Sequence, residues 1–293
     1  MYRPPFPWPG GKRAVAQAVV ERLGGCDHWI EPFAGSLAVL LSTPPHKFET
    51  VNDVDGLVIN FWRATQADST AVARWAAGPI SELDLTARNN AIFEAVDGLA
   101  NRLRDHPAYY DARLAGWWLY VRCTAIGFEG LGHTRWSSRM PNLHNGRGMH
   151  ADWCEPGYLD ELAYRIAHMR ICCGDWSRVV AATPLRLSRS TAVFLDPPYQ
   201  SDSFDARVYA SDPDPDLYGQ VAGWAAEHGR DPNLRIALCG YAGSFSSPGW
   251  TEYAWTRNGG FANTSKTSAN DERQLERIWF SPGCRGGAQP ELW

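Results

Sequence analysis

The sequence predicts an α/β fold with a mostly parallel sheet and a helical insertion in the middle of the chain. Three runs, His28-Trp29-Ile30, Ala192-Val193-Phe194-Leu195 and Leu234-Arg235-Ile236-Ala237-Leu238-Cys239, are nearly continuous in apolar residues, as strands covered on both faces are. Each delivers the chain to a carboxylate or a turn residue, Glu31, Asp196 and Gly240, as parallel strands do when their C-terminal tips line a crevice. From about Ile59 to Arg165 the periodicity is helical instead, with no convincing strand.

In chain order, Arg13 to Leu23 reads as a helix with Val15, Ala18, Val19 and Leu23 on one side, stopped by Gly24-Gly25. After the His28–Ile30 strand, Leu37 to Leu41 is expected to open a helix that Pro44-Pro45 ends. Glu49 to Val51 reads as a short strand. Helices are expected over Ile92 to Leu103 and Ala115 to Thr124, and the strand pattern resumes at Met169-Arg170-Ile171-Cys172-Cys173. Asp216 to His228 reads as a helix closed by Gly229, after the polar, Asp-rich loop of Ser201 to Pro215. Leu275 to Phe280 reads as a closing strand with Trp279 in the core. These elements divide the chain into a core of residues 1–59 and 169–293 and a helical insertion of residues 60–168.

Composition narrows the function. No run approaches ~18 uninterrupted apolar residues, and the start of the chain has no apolar run behind its charge, so a soluble cytoplasmic protein without a membrane partner is expected. The seven cysteines are odd in number, scattered, and without a C-x-x-C pair, which argues against a disulfide framework and a zinc site; no metal is expected. Formal net charge is −4, so global charge does not point to nucleic acid. Local charge does: from Arg113 to Arg147 the chain carries Arg122, Arg135 and Arg139 as well, with Glu129 the single carboxylate. Within this stretch Arg135, Arg139, Asn142, Asn145 and Arg147 are the side chains suited to base edges and phosphates, so they are the expected DNA contacts.

The strongest chemical signal is Asp196-Pro197-Pro198-Tyr199. Two prolines stiffen the backbone and remove two N–H donors, leaving carbonyl oxygens free. A carboxylate before them and a ring after them can together accept hydrogen bonds from an exocyclic amino group and stack on its base, as a flipped-out base requires. Trp8-Pro9-Gly10-Gly11-Lys12 is not a phosphate loop, because Phe6 and Arg13 stand where a glycine and a magnesium-binding hydroxyl would be needed. It reads as a turn that brings a ring and an ammonium to one place. Glu31-Pro32-Phe33-Ala34-Gly35 leaves a strand through a glycine that permits close approach. Asp53, about twenty residues on, is placed to accept the hydroxyls of a ribose, with Asp55 its competitor. The absence of G-x-G-x-x-G argues against a nicotinamide enzyme.

Three segments, in order, resemble the Dam-like (D12 class) adenine-N6 DNA methyltransferases. Pro5 to Lys12 is similar to that family's W-x-G-G-K element, Glu31 to Ser36 to its E-P-F-x-G loop followed by Val51-Asn52-Asp53, and Asp196 to Tyr199 is its D-P-P-Y. The resemblance implies a Rossmann-like S-adenosylmethionine-dependent methyltransferase acting on double-stranded DNA, with no obligate protein partner. It implies cofactor contacts from Trp8, Gly11, Lys12, Glu31, Pro32, Phe33, Gly35, Asp53 and Asp196, the first and third of these near the methionine end. Asp175 is similar to a family residue that bonds the cofactor's adenine, and reads equally as the cap of the next turn. Catalysis falls to Asp196, Pro197, Pro198 and Tyr199, and the segment Gly127 to His150 matches the family's recognition loop in position. One departure stands out: many members carry a second glycine where this chain has Leu37. The remaining alternatives are cytosine-N4 methylation, an RNA substrate, and a non-catalytic DNA-binding descendant.

Overall fold

A computed structural model describes residues 2–127, 130–141, 157–198, 214–255 and 276–286. Seven strands form one sheet: β1 (His28–Glu31), β2 (Phe48–Asp53), β3 (Arg170–Cys173), β4 (Thr191–Leu195), β5 (Leu234–Tyr241), β6 (Thr251–Ala254) and β7 (Glu276–Phe280). Their order is β3-β2-β1-β4-β5-β7-β6. All pairings from β3 to β5 are parallel, and β7 runs antiparallel between β5 and β6. The order reverses between β1 and β4, so the crevice beyond their C-terminal tips is the position at which open parallel sheets bind ligands.

The apolar runs do what their composition predicts. Successive residues face opposite sides: Trp29, Ala192, Phe194, Ala237 and Cys239 join one core, and Ile30, Val193, Leu195, Ile236 and Leu238 the other. The first core is closed by α1 (Ala16–Leu23), α2 (Gly56–Ala76), α5 (Ala112–Thr124) and α6 (Tyr158–Ile166); the second by α8 (Leu217–His228) and the turn Trp176–Val180. Trp279 is buried at 3 % exposure in the second core, as expected. Between α2 and α5 lie α3 (Glu82–Ala95) and α4 (Leu99–Asp105), and α7 (Ala182–Leu185) precedes β4.

Four local expectations need correction. The first helix begins at Ala16, because Lys12 to Val15 is spent on a turn. No α-helix forms over Leu37–Leu41; Leu37 has φ +53 and only a short 3₁₀ turn, Leu40–Ser42, follows. The helix expected over Ile92–Leu103 breaks into α3 and α4 at Gly98, which has φ +67. The edge strand β6 was not foreseen.

Helices α2 and α6 are tied to the sheet by polar anchors. Arg165 on α6 donates to both oxygens of Glu49 on β2, at 2.7 and 2.8 Å, inside the protein. Gln66 on α2 donates to the carbonyls of Ile166 and Met169. The sequence division at residue 59/60 falls within α2, which packs on β2 and β3 as well as on α5 and α6. Among the described residues no helix is long and apolar enough to cross a membrane.

Candidate active site

Trp8 to Gly11 forms a tight turn closed by Gly11 N–H donating to the Trp8 carbonyl at 3.1 Å. Pro9 and a Gly10 with φ +68 are the residues that a type II corner selects. The turn aims Lys12 inward, where it is only 2 % exposed. Its ammonium lies 2.8 Å from Asp196 Oδ1 and donates to the Gly10 carbonyl at 2.7 Å. Asp196 itself stands at the tip of β4, followed by buried Pro197 and half-buried Pro198. The first and last of the three sequence elements therefore meet at one ion pair. Tyr199 lies outside the described residues.

Gly35, in the turn after β1, is held from three directions. Its N–H donates to Asp53 Oδ2 at 3.0 Å, its carbonyl accepts from Trp62 Nε1 at 2.9 Å, and Trp8 lies over its α-carbon. A β-carbon at Gly35 would stand 2.5 Å from Trp8 Nε1, and its φ is +45, so both space and backbone require glycine. The close approach read from the sequence is thus made first by this indole. The Arg122 guanidinium stacks on the Trp8 ring at 4.3 Å and lies 5.2 Å from the Trp118 ring.

Asn52 and Asp53 end β2 and knit the neighbouring loops. Asn52 Nδ2 donates to the carbonyls of Pro32 (3.0 Å) and Gly174 (2.8 Å), fixing the turns after β1 and β3 together. Its Oδ1 is buried without a partner. Asp53 accepts from Gly35 and from Asp55 N–H; burial, reinforced by the Asp55 charge, pushes its carboxyl up to about 6. Asp55 plays a different part. It caps α2 through Leu57 N–H at 2.8 Å and faces His133 at 3.5 Å. Burial alone would raise it, but His133 and the Leu57 amide hold it below the usual carboxylate range. Of the two carboxylates, Asp53 ends β2 and bonds the Gly35 turn, and Asp55 caps α2.

Glu31 is nearly sealed, at 2 % exposure, and accepts from Trp29 Nε1 at 3.0 Å. Burial pushes it up to about 8, so at neutral pH it is largely a neutral acid. Pro32 is buried beside it, and Phe33 is half-buried and stacks on Trp176, with centroids 6.1 Å apart and planes at 28°. Asp175 is exposed and caps the Trp176–Val180 turn through Ser177 N–H at 2.9 Å, which realises the capping reading. Trp176 and Trp62 were not singled out from sequence, and Arg122, counted there only among the cations of the basic stretch, is instead buried at 4 % exposure against Trp8.

Residues 132–139 of the arginine-rich segment lie along α3. Arg135 pairs with Glu94 at 2.6 Å on the surface, and Arg139 stacks 4.6 Å above the Trp136 ring. Asn142, Asn145 and Arg147 lie outside the described residues. Among the described residues no group of three or more His, Cys, Asp or Glu is arranged to hold a metal.

A sheet of this strand order, with a carboxylate at the β2 tip, rings at the β1 and β3 tips, and Asp-Pro-Pro at the β4 tip beside the switch point, defines a Rossmann-like methyltransferase. The family model for D12 class N6 adenine-specific DNA methyltransferases matches residues 8–216, which include Trp8–Lys12, Glu31–Ser36 and Asp196–Tyr199. The chain belongs to that family and is a DNA adenine-N6 methyltransferase, an activity that uses S-adenosylmethionine and a flipped-out base. No curated protein sequence matches the chain.

Proposed function

We propose that this chain methylates adenine N6 in double-stranded DNA, in the cytoplasm, with the cofactor seated across the tips of β1, β2, β3 and β4 and the base presented to Asp196. The observation that carries this reading is the Lys12–Asp196 pair at 2.8 Å, at the sheet's switch point. The donor set fits the cofactor. Two ribose hydroxyls need acceptors, which Asp53 offers. An adenine ring needs an apolar face and a polar edge, offered by Phe33 with Trp176 and by Asp175. Trp8, Gly11 and Lys12 suit the methionine end, with Glu31, Pro32 and Gly35 shaping the wall. The partnerless Asn52 oxygen at the same loops is a further acceptor.

When bound, S-adenosylmethionine supplies a methyl group already activated by its positive sulfur. The chain's own work is positioning. Lys12 occupies Asp196 Oδ1 and fixes the carboxylate, leaving Oδ2 to accept from the adenine amino group. The Pro197 carbonyl, beside a residue with no N–H, accepts the second amino hydrogen. Both bonds hold the N6 lone pair toward the methyl, and Tyr199 stacks on the base. Helices and loops of residues 60–168 serve as the target-recognition insertion, with Arg135, Arg139, Asn142, Asn145 and Arg147 on the DNA. The test is Asp196→Asn: loss of N6-methyladenine formation with cofactor binding retained supports the reading, and normal turnover overturns it.

A further inference from the structure

Helix α3 contains an anomaly. Asn89 and Asn90 sit side by side in its interior, although asparagine is a poor helix former because its amide competes with the backbone. Both amides are used. Asn89 is fully buried; its Oδ1 accepts from Gly132 N–H at 2.8 Å and its Nδ2 donates to the Thr134 carbonyl at 2.8 Å. Asn90 does the same one step along: Oδ1 accepts from Trp136 N–H at 2.8 Å and Nδ2 donates to the Trp136 carbonyl at 2.9 Å.

These contacts belong to a longer pattern. Thr86 Oγ1 accepts from Arg139 N–H at 3.2 Å, Glu82 accepts from the Ser138 hydroxyl, and Glu94 pairs with Arg135. Positions 82, 86, 89, 90 and 94 recur at helical spacing, so they form one polar stripe along α3. Residues 132, 134 and 136 bond to it at every second position, as an edge strand bonds to its neighbour, with side-chain amides standing in for backbone. His133, between two of them, reaches Asp55 instead.

We propose that the α3 stripe is a rail that sets the backbone register of residues 132–139, with Asn89 and Asn90 as positioning residues for target recognition. The proposal rests on the reading that this segment contacts DNA. A loop that must order itself on binding loses affinity to that ordering and reads bases loosely; a loop already held by four amide hydrogen bonds presents Arg135, Trp136 and Arg139 in one geometry. Discrimination between base pairs follows from that fixed geometry.

Asn90→Ala tests it, because Asn90 is only half-buried and its loss leaves the Asn89 bonds in place. Hydrogen exchange at the Trp136 amide should accelerate about ten-fold or more, while cofactor affinity stays at the wild-type level. Binding to duplex DNA carrying the methylated site should weaken about ten-fold, and its preference over unrelated duplex should shrink. Asn90→Asp keeps an acceptor at the same reach and should retain the Trp136 protection. Unchanged exchange in Asn90→Ala, or faster exchange with unchanged DNA affinity and preference, overturns the rail. Arg139→Ala separates the two levels. If it weakens DNA binding and Asn90→Ala does not, the interface stands and the rail falls; if neither does, the rail falls together with the interface.

Discussion

Lys12 and Asp196 are separated by 184 positions in the chain and by 2.8 Å in space. The ammonium is buried, its charge is met by the carboxylate and the Gly10 carbonyl, and Gly10 of the preceding turn holds a φ of +68, which favours glycine. An ion pair so enclosed is costly to break from one side. It fixes the acceptor that the methylated amino group must find.

Asp196→Asn keeps the side chain's shape and an oxygen for Lys12. It should lower kcat by about 100- to 10,000-fold while leaving cofactor affinity largely intact. Asp196→Ala should also abolish transfer, but it strands the buried ammonium and should cost about 3 kcal/mol of stability as well. Parallel single-turnover kinetics and thermal unfolding separate the two effects; an Asp196→Ala variant as stable as the wild type would contradict the pairing.

Asp53 makes cofactor binding depend on pH. Its carboxyl is raised to about 6, so acidification through that value protonates it and replaces a charged acceptor by a weaker neutral one. Cofactor affinity should therefore fall as pH drops through about 6 and level off above it. Asp53→Asn should bind about ten-fold more weakly and lose the pH step. Calorimetric titration across this range checks both; a step that survives in Asp53→Asn belongs to another group.

Glu31 makes stability depend on pH in the opposite sense to an ordinary ion-paired carboxylate. The unfolded carboxyl ionises near its usual 4.5 and the folded one at about 8. Between those values folding takes up a proton, so this group makes the fold progressively less stable as pH rises through the window. Asp53 contributes in the same direction up to about 6. His28, which burial lowers from 6.5 to about 4, contributes in the opposite sense up to about pH 7, so the slope above that should come from Glu31, and Glu31→Gln should flatten it in melting curves taken from about pH 7 to about pH 8. An unchanged slope would place the proton elsewhere.

Trp8 contacts both Gly35 and Arg122, and each contact should be sensitive. Gly35→Ala drives a methyl into the indole at 2.5 Å and strains a φ of +45. It should destabilise the fold by about 2 kcal/mol and weaken cofactor binding. Arg122→Met removes a stacking cation worth about 1–2 kcal/mol and should raise the cofactor Kd about ten-fold. In a Trp8→Ala background Arg122→Met should add nothing further to Kd. Additive effects would show that Arg122 acts on the cofactor independently of the ring.

Much of this was legible in the sequence, and the boundary of legibility is physical. β1, β4 and β5 were read correctly because strands buried on both faces are apolar at every position, and their tips carried the motifs. β6 escaped because Thr251 and Glu252 are exposed and only Tyr253 is buried, too short a pattern to see. Leu37 misled because an apolar run ahead of two prolines looks helical, yet the backbone there is left-handed. Leu37 stays at 1 % exposure, so its burial offsets part of that strain. Trp62, Trp176, the Asn89–Asn90 pair and the stacking of Arg122 on Trp8 were out of reach for another reason. Their partners come from distant elements, and nothing in their local spacing announces it.

The most direct measurement is transfer of labelled methyl from S-adenosylmethionine to unmethylated duplex DNA, followed by nucleoside mass spectrometry. N6-methyladenine as the sole labelled nucleoside, absent with Asp196→Asn, is the result this account predicts. N4-methylcytosine, or no labelled nucleoside from protein that binds the cofactor, would contradict it.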